Sequence, residues 1–216
     1  MKKNTERGTD MWHLTKVDKF WNEIASQRHV FHVYENEDKF LDILAGFVGT
    51  GINADECTIV IATAAHLEKL KRKLKAHGLY VDKLIEDERY IPFAADEILA
   101  KFMVKDLPNE KLFFESISEI IEVAKKRNRS VRAFREMTTL LWTAGNYKAT
   151  NRLEFLWDKY SRQETLSLFC AYPQYRFAKE ECESLKEIGV NNSKIVRSAK
   201  VATEIMYKDC VTLSGN

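Results

Sequence analysis

Glycine and proline are scarce in this chain, with 8 and 3 residues respectively among 216. The sequence has no linker rich in these residues that would divide it into separate domains. We therefore expect one folded domain over residues 17–196. The polar residues 1–16 are predicted to be flexible, and residues 197–216 are predicted to form a C-terminal tail.

Other absences disfavour whole classes of function. The 34 basic and 32 acidic residues leave a net charge of +2, which is no basic excess for nucleic-acid binding. No signal peptide follows the first residues, and no run approaches the roughly 18 apolar residues of a membrane helix. The cysteines form no CxxC pair, so we expect free thiols in a reducing cytoplasm. They are Cys57, Cys170, Cys182 and Cys210.

Nucleotide-binding motifs are also missing. The segment after the first predicted strand reads ENEDKFLDI, and its acids would repel a phosphate where a phosphate loop would supply backbone donors. GFVGTG, at 46–51, resembles a dinucleotide fingerprint but ends a predicted helix, so Gly49 and Gly51 are interpreted as its stop.

No metal or catalytic arrangement is indicated either. His29 and His32 lie three apart in a predicted strand and so on opposite faces. The remaining histidines, His13, His66 and His77, have no acidic partner at a ligand spacing. We expect no cofactor, no metal and no catalytic residue.

Hydrophobic periodicity predicts strands that alternate with helices. The predicted strands are 29–34, 57–62, 89–93, 130–136, 165–172 and a final edge strand at 195–196. The predicted helices are 17–26, 36–50, 64–78, 95–103, 109–127, 138–142, 147–162 and 177–188. This alternation is typical of βαβ crossovers, and therefore of an α/β fold with a mainly parallel sheet and helices on both faces.

Such sheets bind ligands beyond the carboxyl ends of their strands. Tyr34, Glu35, Glu136 and Tyr172 all lie at such ends. Glu136 is the expected polar anchor of a pocket there, because a partly buried carboxylate is costly without a partner. The tyrosines and Trp142 would supply walls that are apolar with polar tips.

Structural interpretations of the same residues stay open. Glu136 could brace the following helix or pair with Arg135 or Arg132. Trp142 and Trp157 could simply fill space between a helix and the sheet.

Four sequence segments together resemble the MEDS domain, a sensory domain named for methanogens, methylotrophs and a dichloromethane-responsive regulator. They are HVFHVYE (29–35), VRAFREMTTLLWTAGNY (131–147), LEFLW (153–157) and LFCAYP (168–173). The resemblance covers residues 28–196. It departs from the family in ESLKEIGVNNSKIV, where relatives often carry a histidine.

The resemblance implies a three-layer fold related to RecA and KaiC that lacks a phosphate loop. It also implies a sensor of a small organic molecule such as a hydrocarbon derivative. We expect this sensor to be non-enzymatic, and, without a signal peptide or membrane helix, cytoplasmic. Because the tail is too short for an output domain, the expected partner is a separate protein such as a histidine kinase or transcription regulator. We expect no direct contact with nucleic acid or membrane. The candidate ligand-binding residues are His29, His32, Tyr34, Glu35, Glu136, Trp142, Cys170 and Tyr172.

Two other functions remain open at this point. The fold could be a protein-interaction scaffold whose pocket is filled by side chains, or a divergent enzyme built on Glu136. Self-association is a further expectation, because RecA-like domains commonly associate.

Overall fold

The computed structural model describes Met11, Trp12, Trp21 and residues 29–126, 128–173, 194–198 and 203–206, with backbone alone for residue 29 and the last two ranges. The strands are β1 (His29–Tyr34), β2 (Cys57–Ala62), β3 (Tyr90–Ala94), β4 (Met103–Val104), β5 (Leu107–Pro108), β6 (Val131–Arg135), β7 (Leu166–Pro173), β8 (Lys194–Ser198) and β9 (Thr203–Met206). The helices are α1 (Glu37–Asn53), α2 (Ala64–Ala76), α3 (Val81–Glu86), α4 (Ala95–Phe102), α5 (Glu110–Lys125), α6 (Met137–Thr143) and α7 (Tyr147–Gln163).

Seven strands form one sheet in the order β3-β2-β6-β7-β1-β8-β9. The first six are parallel, and β9 pairs antiparallel with β8. The predicted α/β fold, a three-layer sandwich with a mainly parallel sheet, is therefore confirmed. The predicted strand at 195–196 is present as β8, but it is not the edge strand, because β8 lies between β1 and β9. The edge strand β9 comes from residues that were assigned to the tail.

The two faces of the sheet carry separate hydrophobic cores, because successive side chains of a strand point to opposite sides. Phe134 and Phe169 pack with the aromatic and aliphatic side chains of α1 and α2. Ala133 and Leu168, one position away on the same strands, pack with α4, α5 and α7. The inner strand β2 is buried throughout, as expected for a parallel strand covered on both sides.

The predicted helix starts are confirmed by side-chain caps. The Asn36 side chain accepts a hydrogen bond from the backbone N–H of Lys39, and Thr63 accepts one from His66. In α2 the leucines Leu70 and Leu74 are fully buried, while its lysines lie at the surface. Its basic run is thus the solvated side of an amphipathic helix, as predicted.

The glycines of 46–51 do not stop α1, which continues to Asn53. Gly51 instead permits close packing, because a Cβ atom there would lie 2.7 Å from Arg132 Cδ and 2.6 Å from Thr58 Oγ1. A Cβ atom at Gly49 would lie 2.0 Å from Cδ2 of Trp12. Contacts with distant side chains therefore explain these glycines, and the sequence does not show such contacts.

Two short features, α3 and the β4–β5 hairpin, were not predicted. The predicted helix at 177–188 lies outside the described residues. That at 17–26 is described at Trp21 alone, which is helical and buried. None of the helices in the described part of the chain combines the length and apolar character that crossing a bilayer requires.

Candidate functional site

A cavity of about 320 Å³ lies at the carboxyl ends of β1, β6 and β7 and beside the start of α2. Residues that follow four neighbouring strands line it, as expected for ligand sites in parallel sheets. The lining residues are Tyr34, Glu35, Glu37, His66, Glu136, Thr139, Leu140, Thr143 and Pro173. The lining combines three carboxylates with aromatic and aliphatic surface, and the described lining residues include no lysine or arginine.

Glu136 is the buried acidic residue of the lining, with 5% of its surface exposed. Its backbone N–H continues the strand by donating to the Ile61 carbonyl at 2.8 Å. Its Oε2 accepts the backbone N–H of Thr63 at 2.9 Å, so the carboxylate lies at the N-terminus of α2, where the helix dipole favours a negative charge. The sequence-based alternatives for this residue, a brace on its own helix or an ion pair with Arg135 or Arg132, are not what the structure shows.

His66 connects two of the lining carboxylates. Its Nδ1 lies 2.7 Å from Glu136 Oε1, and its Nε2 lies 2.8 Å from Glu37 Oε1. Ionised carboxylates only accept hydrogen bonds, so beside two ionised partners both ring nitrogens donate, which favours the protonated, positively charged imidazole. Burial opposes this charge by lowering the pKa of His66, but the hydrogen bonds and charges of Glu136 and Glu37 outweigh burial and raise the pKa overall.

Glu37 carries the cluster to the surface. Its Oε2 accepts a hydrogen bond from Lys69 Nζ at 2.5 Å, and the bonds from Lys69 and His66 lower the pKa of Glu37. The chain Glu136–His66–Glu37–Lys69 thus alternates in charge from the buried wall of the cavity to solvent. It fixes the N-termini of α1 and α2 beside the end of β6.

A second ion-pair cluster begins one residue earlier, on the opposite face of the sheet. Arg135 is fully buried and donates two hydrogen bonds to Glu154 of α7, at 2.8 and 2.6 Å. The Tyr172 hydroxyl donates to the same carboxylate at 2.7 Å. Burial alone would lower the pKa of Arg135, but the charge of Glu154 raises it. The guanidinium also lies 5.1 Å from the Trp157 ring.

The structure brings three of the predicted site residues to the cavity: Tyr34, Glu35 and Glu136. His32 is fully buried beside Tyr34 and Phe169, and burial lowers its pKa to about 4, so it is neutral at physiological pH. It is not part of the lining. The side chain of His29 lies outside the described residues.

The other three predicted site residues lie away from the cavity. Trp142, Cys170 and Tyr172 form a small buried cluster with Phe31 on the other face of the sheet. Alternation along β7 explains the separation, because Ala171 faces the cavity side and its neighbours face away. Burial raises the pKa of the Cys170 thiol and of the Tyr172 hydroxyl well above their usual values.

Six of the nine lining residues were not predicted from the sequence, among them His66 and Glu37. Both lie in first helical turns, 29 positions apart, and no local spacing connects them with Glu136. Only their positions in the chain could have indicated that they belong to the site. Each lies within a few residues of the end of a predicted strand, and the carboxyl ends of parallel strands meet at one edge.

Comparisons with known proteins agree with this architecture. A structure from Pyrococcus horikoshii OT3, described as a structural study of Project ID PH0250, superimposes with a TM-score of 0.55 at 12% identity, covering 88% of this chain and 91% of the other. At that identity the likeness shows the fold alone. No curated protein matches the chain significantly. Residues 28–187 match the family described as the methanogen/methylotroph, DcmR sensory domain, or MEDS. Because this match spans most of the sequence, the chain belongs to the MEDS family of sensory domains.

Proposed function

We propose that this domain is a non-enzymatic sensor that binds a small, partly apolar organic molecule in the strand-end cavity and signals through a separate protein. The observation that carries the proposal is the cavity itself, in which Thr63 and His66 hold the Glu136 carboxylate in place. Its volume of about 320 Å³ is within the range of small-molecule sites, roughly 300–1,000 Å³. The derivation from RecA and KaiC relatives stays a prediction.

The lining narrows the chemistry of the ligand. Tyr34, Leu140 and Pro173 offer apolar surface for a hydrocarbon body. Glu35 and Glu136 favour a group that donates hydrogen bonds, such as an alcohol, an amide or an amine. A carboxylate or phosphate would meet like charges and is disfavoured.

The same geometry supports a binding role over catalysis. Both ring nitrogens of His66 are engaged with carboxylates, so the imidazole has no free lone pair with which to act as a general base. Cys170 is fully buried and its raised pKa disfavours a thiolate. A cytoplasmic location is part of the proposal and agrees with the free, buried thiol of Cys57.

Thermal unfolding with a panel of small molecules tests the proposal. Amines, amides and alcohols with short hydrocarbon bodies should raise the melting temperature, whereas matched carboxylates and magnesium nucleotides should not. A ligand at 100 times its dissociation constant adds about 2.7 kcal/mol to the free energy of unfolding.

Two variants test whether a ligand that raises the melting temperature binds in the cavity. Thr143→Phe should fill the cavity and abolish the shift, and Glu136→Gln should weaken it. Glu97→Gln makes the same charge change at an exposed position of α4 and should leave it intact. Stabilisation by nucleotides alone would contradict the proposal. A panel without any effect would support the scaffold alternative.

A further inference from the structure

Exposed apolar side chains are concentrated beside α7. Among the described residues, seven large apolar side chains are exposed, and four of them belong to α7 or the β4–β5 hairpin. Phe155 is 52% exposed, Tyr147 47%, and Val104 and Leu107 45% each. Monomeric proteins rarely expose a contiguous apolar patch without using it for interaction.

Specific contacts hold together the elements that carry these side chains. The hairpin packs against α7, and Asn146 Nδ2 donates to the Asp106 carbonyl at 2.8 Å, which places the hairpin tip beside the start of α7. At the other end, the Arg152 guanidinium lies 5.4 Å from the Phe155 ring and pairs with Glu110 at 2.7 Å. Glu110 begins α5 directly after the hairpin, so these contacts hold the elements that carry Val104 and Phe155 against each other.

Basic side chains lie on α7 beside these apolar residues. Lys148, Arg152, Lys159 and Arg162 recur at spacings of three, four and seven residues and share a side of α7 with Phe155. Two anions, Glu110 and Asp158, pair with three of the cations and leave a basic excess. We call these cations and the four exposed apolar side chains the α7 surface.

The α7 surface is also connected to the cavity. Thr139, Leu140 and Thr143 of α6 line the cavity. A tight turn then leads into α7, with Gly145 at a φ of +77°. Within this connection the Trp142 ring packs edge-on against the Tyr147 ring, with centroids 5.1 Å apart. A ligand that moves α6 would therefore act directly on an exposed residue of the α7 surface.

We propose that the α7 surface docks an acidic, amphipathic helix of a separate protein. As the output of the sensor, this inference rests on the proposed function. The apolar anchors favour protein, because aromatic residues and arginine are enriched in protein interfaces. Nucleic acid is disfavoured, because Arg152 and Lys159 are already paired with Glu110 and the remaining basic excess is small.

Binding of designed helical peptides tests the chemistry directly. The acidic probe carries leucines along one face and glutamates elsewhere, and a second probe replaces every glutamate with lysine. Fluorescence anisotropy gives the affinity, and amide chemical shifts from NMR locate the contact. The acidic probe should bind and shift amides of α7 and the hairpin, and the lysine probe should not.

Matched variants distinguish specific binding at the α7 surface from non-specific binding. Phe155→Ser should weaken binding about tenfold, whereas Tyr80→Ser, at another exposed aromatic residue, should leave it unchanged. Lys148→Glu should weaken binding about threefold, and Lys101→Glu, an exposed lysine of α4, should have little effect.

Several outcomes would overturn the docking proposal. These are no binding of the acidic probe, shifts confined to other elements, and tighter binding of duplex DNA or anionic vesicles to this face. A dimer in sedimentation that Phe155→Ser disrupts would show that a second copy covers the surface. All measurements are made without a small ligand, so these failures would leave ligand binding in the cavity untouched.

Discussion

Arg135 and Glu136 are consecutive in the chain, yet they belong to two different ion-pair clusters on opposite faces of the sheet. The Arg135–Glu154 cluster is dry, since both partners are almost completely buried and a tyrosine hydroxyl completes it. The Glu136–His66 cluster borders the cavity and extends through Glu37 to solvent.

The comparison teaches that a buried charge is no guide to function by itself. The more deeply buried pair holds β6 to α7 and has no access to a ligand. The less buried pair, Glu136 and His66, is accessible from the cavity, and its histidine can gain or lose a proton. Burial, hydrogen bonding and access must therefore be judged together.

The largest expected effect comes from breaking the dry pair. Arg135→Met leaves Glu154 buried without its counter-charge, so the free energy of unfolding should fall by about 3–5 kcal/mol. Urea unfolding monitored by tryptophan fluorescence measures this change. The double variant Arg135→Met/Glu154→Leu should recover much of the loss. A single-variant loss below about 1 kcal/mol would contradict a structural role for this pair.

Removing a charge from the Glu136–His66 pair at the cavity should reduce the free energy of unfolding by less than breaking the Arg135–Glu154 pair. In Glu136→Gln the Thr63 N–H keeps an acceptor but His66 loses a charged partner, so we expect a loss of about 2 kcal/mol. Glu35→Gln, at the exposed edge of the same cavity, is the matched control and should change stability by less than about 0.5 kcal/mol. If Glu136→Gln lowered the free energy of unfolding as much as Arg135→Met, the two clusters would not differ in their contribution to stability.

The stability contributed by the Glu136–His66 cluster, which we call the open cluster, should depend on pH near neutrality, whereas that of the Arg135–Glu154 cluster should not. The pKa of His66 is raised in the folded state, so the native protein binds its proton more tightly than the unfolded chain does. The resulting stabilisation is complete below the unfolded value, about 6.5, and is lost as the pH rises through the folded pKa. Urea unfolding of wild type and His66→Gln across this range should show their stability difference shrinking towards high pH. A constant difference would mean that His66 is neutral in the fold.

The smallest effect is expected at the surface end of the open cluster. Lys69 and Glu37 are both partly exposed, so Lys69→Gln should cost about 0.5 kcal/mol or less at low salt. The difference should disappear in high salt, because exposed charges are screened. A loss that persists in high salt would show that Lys69 stabilises the buried part of the cluster.

The helix starts and the parallel sheet could be predicted because their signals are local. The Asn36 and Thr63 side chains cap helices by accepting hydrogen bonds from backbone N–H groups three residues further along the chain, and the apolar run of β2 is typical of a strand covered on both faces. Glu136 could be placed at the cavity for the same reason, since it directly follows a strand. The position of Tyr172 could not be judged equally well, because the side on which a strand residue faces depends on register within the whole sheet.

The sequence alone determined the alternation of the main strands and helices, the edge at which the strands' carboxyl ends meet and the carboxylate at that edge, since each follows from neighbouring residues and the geometry of parallel sheets. Only the tertiary structure decided which partners these residues have. His66 lies 70 positions from Glu136 and Arg135 lies 19 from Glu154, and such pairs form only when strands and helices that are separated in the chain pack against each other.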